Sequence, residues 1–248
     1  MRPPGAAATM HTPAILAATL AVALVPAPAF ASAVNNFNPT EGFLAGGVKA
    51  GKHQLDMHLT AQTGAAGTYA LYPSLGFAAG LGHDWELGMV TQVNSVGYGT
   101  PKVESTVDAY SGYLHGPICS LGDAVKLGIV VGANYPQRAG LPYQVGGEGI
   151  LEVDVLGAAI GLNSGYLQDF TASTGQLYEN INIGGTWGNW LPYAEVGADI
   201  YRNGTPTDMV GRVDMGYQVD EDMVLDANFA VFYPSMALGP SVGFTVTF

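Results

Sequence analysis

Apolar and polar residues alternate along most of the chain after residue 50, and this period of two constrains the fold more than any other feature. The final segment shows it most plainly, with apolar residues at every second position: Val242, Phe244, Val246 and Phe248. Such alternation indicates a β-strand with one apolar face, whereas an amphipathic helix repeats every 3.6 residues. We therefore predict an all-β chain.

The alternation divides into twelve segments, each ending near turn-forming residues. They cover residues 52–62, 68–81, 85–94, 103–114, 124–135, 143–155, 158–166, 178–187, 191–201, 208–219, 223–233 and 238–248. Tight connections such as Leu156–Gly157 alternate with longer polar ones, of which the longest covers residues 165–177. Short turns at one end and longer loops at the other are typical of an outer-membrane barrel, although ten or fourteen strands stay open.

The composition favours a membrane barrel over a soluble β-sandwich. Hydrophobic residues make up 48% of the chain and charged residues only 11%, against about 25% in an ordinary soluble domain. After residue 33 no apolar run approaches the ~18 residues of a membrane helix. We predict an antiparallel, up-and-down transmembrane β-barrel of about twelve strands.

The first 33 residues have the pattern of a secretory signal peptide. Arg2 supplies a basic start, residues 14–25 form an apolar run, and small residues at Ala31 and Ala33 suit a cleavage site. We predict removal of residues 1–33, and a barrel over residues 34–248 that is secreted across the inner membrane and placed in outer-membrane lipid.

Aromatic residues on the predicted outward faces fall at the strand ends. At the loop ends they are Tyr69, Tyr135, Tyr143 and Tyr233, and at the turn ends Trp85, Tyr113, Trp187, Tyr217 and Phe248. Aromatic girdles at both membrane interfaces have this distribution. A soluble sandwich has no physical reason to sort its aromatics in this way.

Two segments resemble known families. The alternating C-terminal strand ending in Phe248 resembles that of bacterial outer-membrane barrel proteins, which implies recognition of Phe248 by the barrel-assembly machinery. The stretch "YPSLGFAAGLGHDWELGMV" resembles the repeated unit of the phenol meta-pathway degradation-type outer-membrane transporter family. Gly80–Leu81, Asp84 and Glu86–Gly88 match its pattern, whereas Ala79 stands where that family has tyrosine. This second resemblance implies passage of small molecules.

The predicted inward faces carry the charges, because lipid is costly for them. The lumen-lining candidates are Asp56, His58, Asp108, Lys126, Glu148, Glu152, Glu195, Asp199, Arg212, Asp214 and Asp226. Acids predominate, and the formal net charge of −12 argues against a nucleic-acid partner. We predict a channel that passes small solutes through an acidic lumen and prefers cations. A structural barrel without a through-pore remains an alternative.

A lumenal hydrolase is the other alternative. Asp56 and His58 share one inward face, and Ser74 lies on the inward face of the next strand, so a Ser/His/Asp cluster is conceivable. A lone lumen histidine is more often a hydrogen-bonded wall residue. We therefore predict no enzymatic activity, no cofactor and no metal. The single cysteine, Cys119, allows no internal disulfide.

Overall fold

The computed structural model describes residues 47–63, 69–93, 107–137, 143–201, 208–233 and 236–248, so the predicted signal peptide lies outside it. Twelve strands occupy this part of the chain. They are β1 (His53–Thr63), β2 (Tyr69–Gly82), β3 (Trp85–Val93), β4 (Val107–Leu121), β5 (Val125–Pro136), β6 (Gln144–Val155), β7 (Ala158–Asp169), β8 (Thr174–Gly185), β9 (Trp190–Tyr201), β10 (Asp208–Gln218), β11 (Met223–Tyr233) and β12 (Ala237–Thr247).

The strands form one closed antiparallel barrel in which each pairs with its neighbours in sequence. β1 and β12 close the ring, with a register that runs from Gln54 opposite Thr247 to Thr60 opposite Ser241. Beyond that register, His53 and Phe248 exchange two backbone hydrogen bonds of 2.8 Å. Closure leaves no strand with unpaired backbone groups at an edge. The predicted twelve-stranded up-and-down barrel is confirmed.

Tight turns occupy one end of the barrel. At the β6–β7 turn, Leu156 and Gly157 both have positive φ, at 52° and 84°. His83 and Asp84 between β2 and β3 also have positive φ, at 52° and 60°. Positive φ at both central residues is the type I′ geometry, whose twist matches that of the flanking strands.

The connection between β7 and β8 is shorter than expected. β7 continues to Asp169 and β8 begins at Thr174, so residues 170–173 form a tight turn instead of the predicted loop over 165–177. The Asp169 Oδ1 atom accepts hydrogen bonds from the backbone N–H groups of Thr171 and Ala172, at 2.7 and 2.9 Å. The aspartate side chain therefore stabilises a tight turn in a polar segment for which we predicted a long loop.

The prediction of which residues in the fourth strand face inward is wrong beyond its first residues. Gln92 pairs with Ala109 and Val93 pairs with Val107, so Asp108 is an extra residue in β4. One extra residue reverses which side chains face inward. Tyr113, expected in the outer aromatic girdle, is 2% exposed and faces the interior, whereas Tyr110, expected inside, is exposed.

The interior divides into two parts. Inward residues of β2 to β8 form what we call the packed half, and those of β9 to β12 and β1 form the charged wall. The packed half and Val48, which precedes β1, form the main apolar core, namely Val48, Ala78, Val90, Tyr113, Val130, Ile150, Leu167 and Tyr178. Among the described residues, no helix is both long and apolar enough to cross a membrane.

Candidate functional site

His58, on the last strand of the charged wall, lies between two carboxylates. Its Nε2 atom is 3.0 Å from Asp56 Oδ2 on the same strand, and its Nδ1 atom is 3.3 Å from Asp226 Oδ1 on β11. The Thr245 hydroxyl on β12 donates a 2.6 Å hydrogen bond to Asp56 Oδ1. The imidazole therefore contacts carboxylates from β1 and β11, and the β12 hydroxyl holds the first of them.

A glycine on β12 makes this contact possible. Gly243 is the register partner of His58 on one side and of Asp226 on the other. A Cβ atom built at position 243 would overlap the His58 ring. Because the intervening strand has no side chain there, groups from β1 and β11 meet above it.

Arg212 on β10 is the basic group of the charged wall. Its Nη1 atom is 3.4 Å from Glu195 Oε1 on β9, and the Tyr193 hydroxyl donates a 2.7 Å hydrogen bond to Glu195 Oε2. Asp214, two residues along β10, interacts electrostatically with Asp226, Arg212 and His58. Its Oδ1 atom is buried and has no hydrogen-bond partner in the part of the chain described.

Water reaches the two interior regions to different extents. In the charged wall the side chains of His58 and Arg212 are each 16% exposed, and that of Asp226 is 11% exposed. In the packed half Glu86 and His115 are 0% exposed. Solvent therefore reaches His58, Arg212 and Asp226 in the charged wall, although Asp56 and Glu195 beside them are 3% and 0% exposed. In the packed half it reaches Lys126 and Asp154, which are 37% and 34% exposed.

The packed half holds its acids in closed contacts. Glu86 Oε1 lies 3.2 Å from His115 Nδ1, and its Oε2 accepts a 2.8 Å hydrogen bond from the Val48 N–H. Lys126 Nζ lies 2.7 Å from Glu152 Oε1 and also contacts Asp154. Glu86 and Glu152 are thus buried and paired, whereas Asp154 is 34% exposed.

The residues before β1 cover the packed half at the turn end. The N–H groups of Gly47 and Gly51 donate to the carbonyl oxygens of Asp84 and Gly80, at 3.1 and 3.2 Å. Between them Val48 is 1% exposed and belongs to the apolar core. The chain therefore passes inside the barrel mouth before it enters the wall.

The structure assembles some of the predicted candidates and separates others. It brings together Asp56, His58 and Asp226, then Glu195 and Arg212, and then Lys126 and Glu152. Glu148 is buried in the packed half, where Gly165 leaves space for both Glu148 and Tyr178. The side chains of Asp108 and Asp199 lie outside the described residues.

The hydrolase arrangement does not form. Ser74 is the register partner of His58, as the cluster requires. Each His58 ring nitrogen, however, contacts a carboxylate, whereas a triad needs one of them directed at the serine hydroxyl. Nor do the described residues contain a group of three or more His, Cys, Asp and Glu side chains that could hold a metal ion.

The Glu86–His115 pair is a feature that the sequence did not reveal. His115 shows no partner at a recognisable spacing in the sequence, yet Glu86 and His115 are register partners on β3 and β4. Pairing them requires the bulge at Asp108, because that residue turns His115 inward. Only the cross-strand register could have identified the contact.

Comparisons with known proteins identify the fold. No family model matches the chain, so the resemblance to the phenol meta-pathway transporter family is not confirmed, and no curated protein matches it. The NanC porin superposes with a TM-score of 0.63 at 10% identity over 77% of this chain and 98% of its own. The KdgM porin gives 0.61 at 12% identity over 79% and 99%.

A COG4313 outer membrane channel from Pseudomonas putida F1 has a TM-score of 0.64 at 8% identity, over 84% of this chain and 99% of its own. Identities this low show the fold alone. The chain therefore has the closed-barrel fold of outer-membrane porins and channels.

Proposed function

We propose that this protein is an outer-membrane channel, without enzymatic activity, that passes small polar solutes along the charged wall and prefers cations. The observation that carries the proposal is the cluster of Asp214, Asp226 and His58, which lies in the middle of the barrel where water enters. Asp214 Oδ1 is buried without a hydrogen-bond partner among the described residues, which is consistent with a site for a passing cation or for water.

The charge balance of the interior supports cation preference. Among the described side chains, the inward acids are Asp56, Glu86, Glu148, Glu152, Asp154, Glu195, Asp214 and Asp226. The inward bases are Lys126 and Arg212, and each contacts an acid. Carboxylates in a narrow bore of low dielectric attract cations and repel anions.

Side-chain size supports a path along the charged wall. In the packed half, Tyr113 and Tyr178 fill the interior above Gly88 and Gly165. On β12 the inward positions include Gly239, Ser241 and Gly243. The rings of Phe232 and His58 lie over Gly239 and Gly243, so the room for a solute on this wall is the space that the small β12 residues leave beside those rings.

The acids of the charged wall also suggest which solutes pass the channel poorly. A second structure of the KdgM porin contains disordered oligogalacturonate, which is a polyanion. A polyanion here would meet Asp214 and Asp226 with only Arg212 to compensate. We propose that neutral and cationic solutes pass this barrel more readily than uronate oligomers do.

Reversal potentials across a KCl gradient in planar bilayers test the proposal. We expect cation selectivity in the wild type and a clear loss of it in Asp214→Asn/Asp226→Asn. The matched control is Glu148→Gln/Glu152→Gln, which removes two acids from the packed half and should keep most of the selectivity. Chloride selectivity in the wild type, or an equal loss in both double variants, would contradict this path.

A structural barrel without a through-pore is the second candidate. The buried Val48 segment and the closed contacts of Glu86 favour it, because they block the packed half at the turn end. A folded, heat-modifiable wild type that gives no single-channel current would support the structural barrel over the channel.

We further propose that secretion uses residues 1–33 and that Phe248 is read by the barrel-assembly machinery. Phe248 is exposed on the outer wall at the turn end, and its ring lies 5.8 Å from that of His53. Deleting Phe248 should reduce the folded protein in outer-membrane fractions far more than Thr247→Ser does. Equal yields from the two variants would contradict the proposal.

A further inference from the structure

The outer wall of the barrel carries an acid that neither the channel nor the core explains. Glu179 on β8 shares its face with Leu177, Ile181 and Ile183, which are exposed on the outside. Ser164 on β7 is its register partner and donates a 2.8 Å hydrogen bond from Oγ to Glu179 Oε1. Glu179 is therefore an exception to the expectation that the inward faces carry the charges.

Glu179 lies at the middle of the wall. It is near the centre of β8 (Thr174–Gly185), and Ser164 is near the centre of β7 (Ala158–Asp169). The exposed aromatic residues Phe170 and Trp187 lie beyond opposite ends of these two strands. In a membrane, the pair would lie within the hydrocarbon layer, where an ionisable side chain is costly and usually functional.

A hollow adjoins the pair. Its volume is about 690 Å³, and its outward-facing wall includes Leu127, Leu151, Leu162, Ile181 and Val196. Gly149 helps to create it, because a Cβ atom at this position would meet nothing within 4 Å. Pockets for single small molecules typically have about 300–1,000 Å³, a mainly apolar lining and a few polar groups.

No basic side chain of the described residues contacts the carboxyl group of Glu179. Among the described residues Glu179 contacts only Ser164, whereas the ion pairs of Lys52, Lys126 and Arg212 are with other acids. Because the Ser164 hydroxyl donates its hydrogen to Glu179, its oxygen remains able to accept a hydrogen bond. A cationic donor is the chemical group that complements both.

We propose that this hollow, here called the Glu179 groove, binds a lipophilic amine from the membrane. The protonated amine contacts Glu179 and donates to Ser164, and the apolar body of the molecule lies against Leu151, Leu162 and Ile181. The groove faces away from the lumen, so the proposal rests on the membrane location proposed above but not on the channel. The hollow is open to the membrane, and the carboxyl group of Glu179 at its edge is what favours an amine over the apolar wall of a second barrel.

Photo-crosslinking in lipid nanodiscs tests the proposal. The probes are a dodecylamine that carries a diazirine in its chain and the matching dodecanol diazirine, and labelled peptides are located by mass spectrometry. We expect the amine, but not the alcohol, to label β6 to β8 selectively. Labelling should fall about tenfold in Glu179→Gln, the loss expected for a hydrogen bond to a charged group.

Two glycine variants provide a matched comparison. Gly149→Leu fills the groove and should abolish selective labelling, whereas Gly211→Leu adds the same side chain to open space on β10 and should leave it unchanged. Uniform labelling around the barrel, equal labelling by the alcohol, or unchanged labelling in Glu179→Gln would overturn the proposal. So would a dimer that Gly149→Leu dissociates, because a second copy would then occupy the groove.

The experiment separates this site from the proposed function. Heat-modifiability of each variant establishes that a barrel is present in the nanodisc. Reversal potentials, measured on the same preparations, report on the charged wall alone. Selective labelling with no cation selectivity would retain the groove and reject the channel, and the opposite result would reject the groove.

Discussion

The packed half and the charged wall are built from the same alternating strands, yet they differ in what their inward positions hold. In the packed half a ring lies over a glycine, as Tyr113 does over Gly88. In the charged wall an imidazole lies over Gly243 and contacts carboxylates on both sides. Tyr113 is 2% exposed, whereas the side chain of His58 is 16% exposed. We infer that stability depends mainly on the packed half, and the proposed solute passage on the charged wall.

The largest expected effect is that of Glu86→Ala in the packed half. The change leaves His115 and the Val48 N–H buried without the carboxylate that satisfies them. We expect the free energy of unfolding in lipid vesicles to fall by about 3 kcal/mol, the cost of breaking a buried pair. Urea titration followed by tryptophan fluorescence measures it.

Asp226→Ala is the control in the charged wall, where water can replace a lost partner. It should cost about 1 kcal/mol, since partly solvated contacts contribute less. If it destabilises the barrel as much as Glu86→Ala does, the distinction between the two regions is wrong.

The second effect concerns close packing. In Gly88→Ala the new methyl group would overlap the Tyr113 ring, which is fully enclosed. We expect a loss of about 2 kcal/mol, as for other overpacked cores. Gly211→Ala, which points into open space, should leave the free energy of unfolding unchanged or slightly higher. Equal losses would mean that Tyr113 moves freely and the packed half is not tightly packed.

Much of the fold follows from the alternation alone. The strand count, the Leu156–Gly157 turn and the inward face of β6 all depend on residues two positions apart, so local sequence is sufficient. The sequence also shows that Glu179 stands two and four positions before Ile181 and Ile183, so the three side chains share one face of β8. The outward position of Glu179 follows from that spacing, although an acid is not expected on the outer face.

The remaining features depend on register. A single bulged residue, Asp108, turns Tyr113 and His115 inward, and no local pattern distinguishes it from a regular strand position. The contact between His58 and Asp226 depends on both pairings of β12. These pairings join the two ends of the chain, so the sequence supplied the charged residues but not their partners.

The third prediction measures coupling across Gly243. A double-mutant cycle with His58→Ala and Asp226→Asn should give a coupling energy of about 1 kcal/mol, typical of neighbouring charges. The matched cycle, His58→Ala with Asp154→Asn, pairs His58 with an acid in the packed half and should give a value near zero. Coupling of the same size in both cycles would show that the protein's overall charge, rather than this contact, determines the result.

The smallest effect is expected where the charged wall reaches open water. Lys52 Nζ lies 3.5 Å from Asp222 Oδ1 at the turn end, and the two side chains are 46% and 58% exposed. Lys52→Ala should lower the free energy of unfolding by less than about 0.5 kcal/mol, because solvent screens an exposed pair. That difference should disappear near 1 M salt, where the screening length is about 3 Å. The loss in free energy of unfolding caused by Glu86→Ala should persist at that salt concentration. Salt does not screen the buried contacts of Glu86, and their loss leaves buried polar groups unsatisfied.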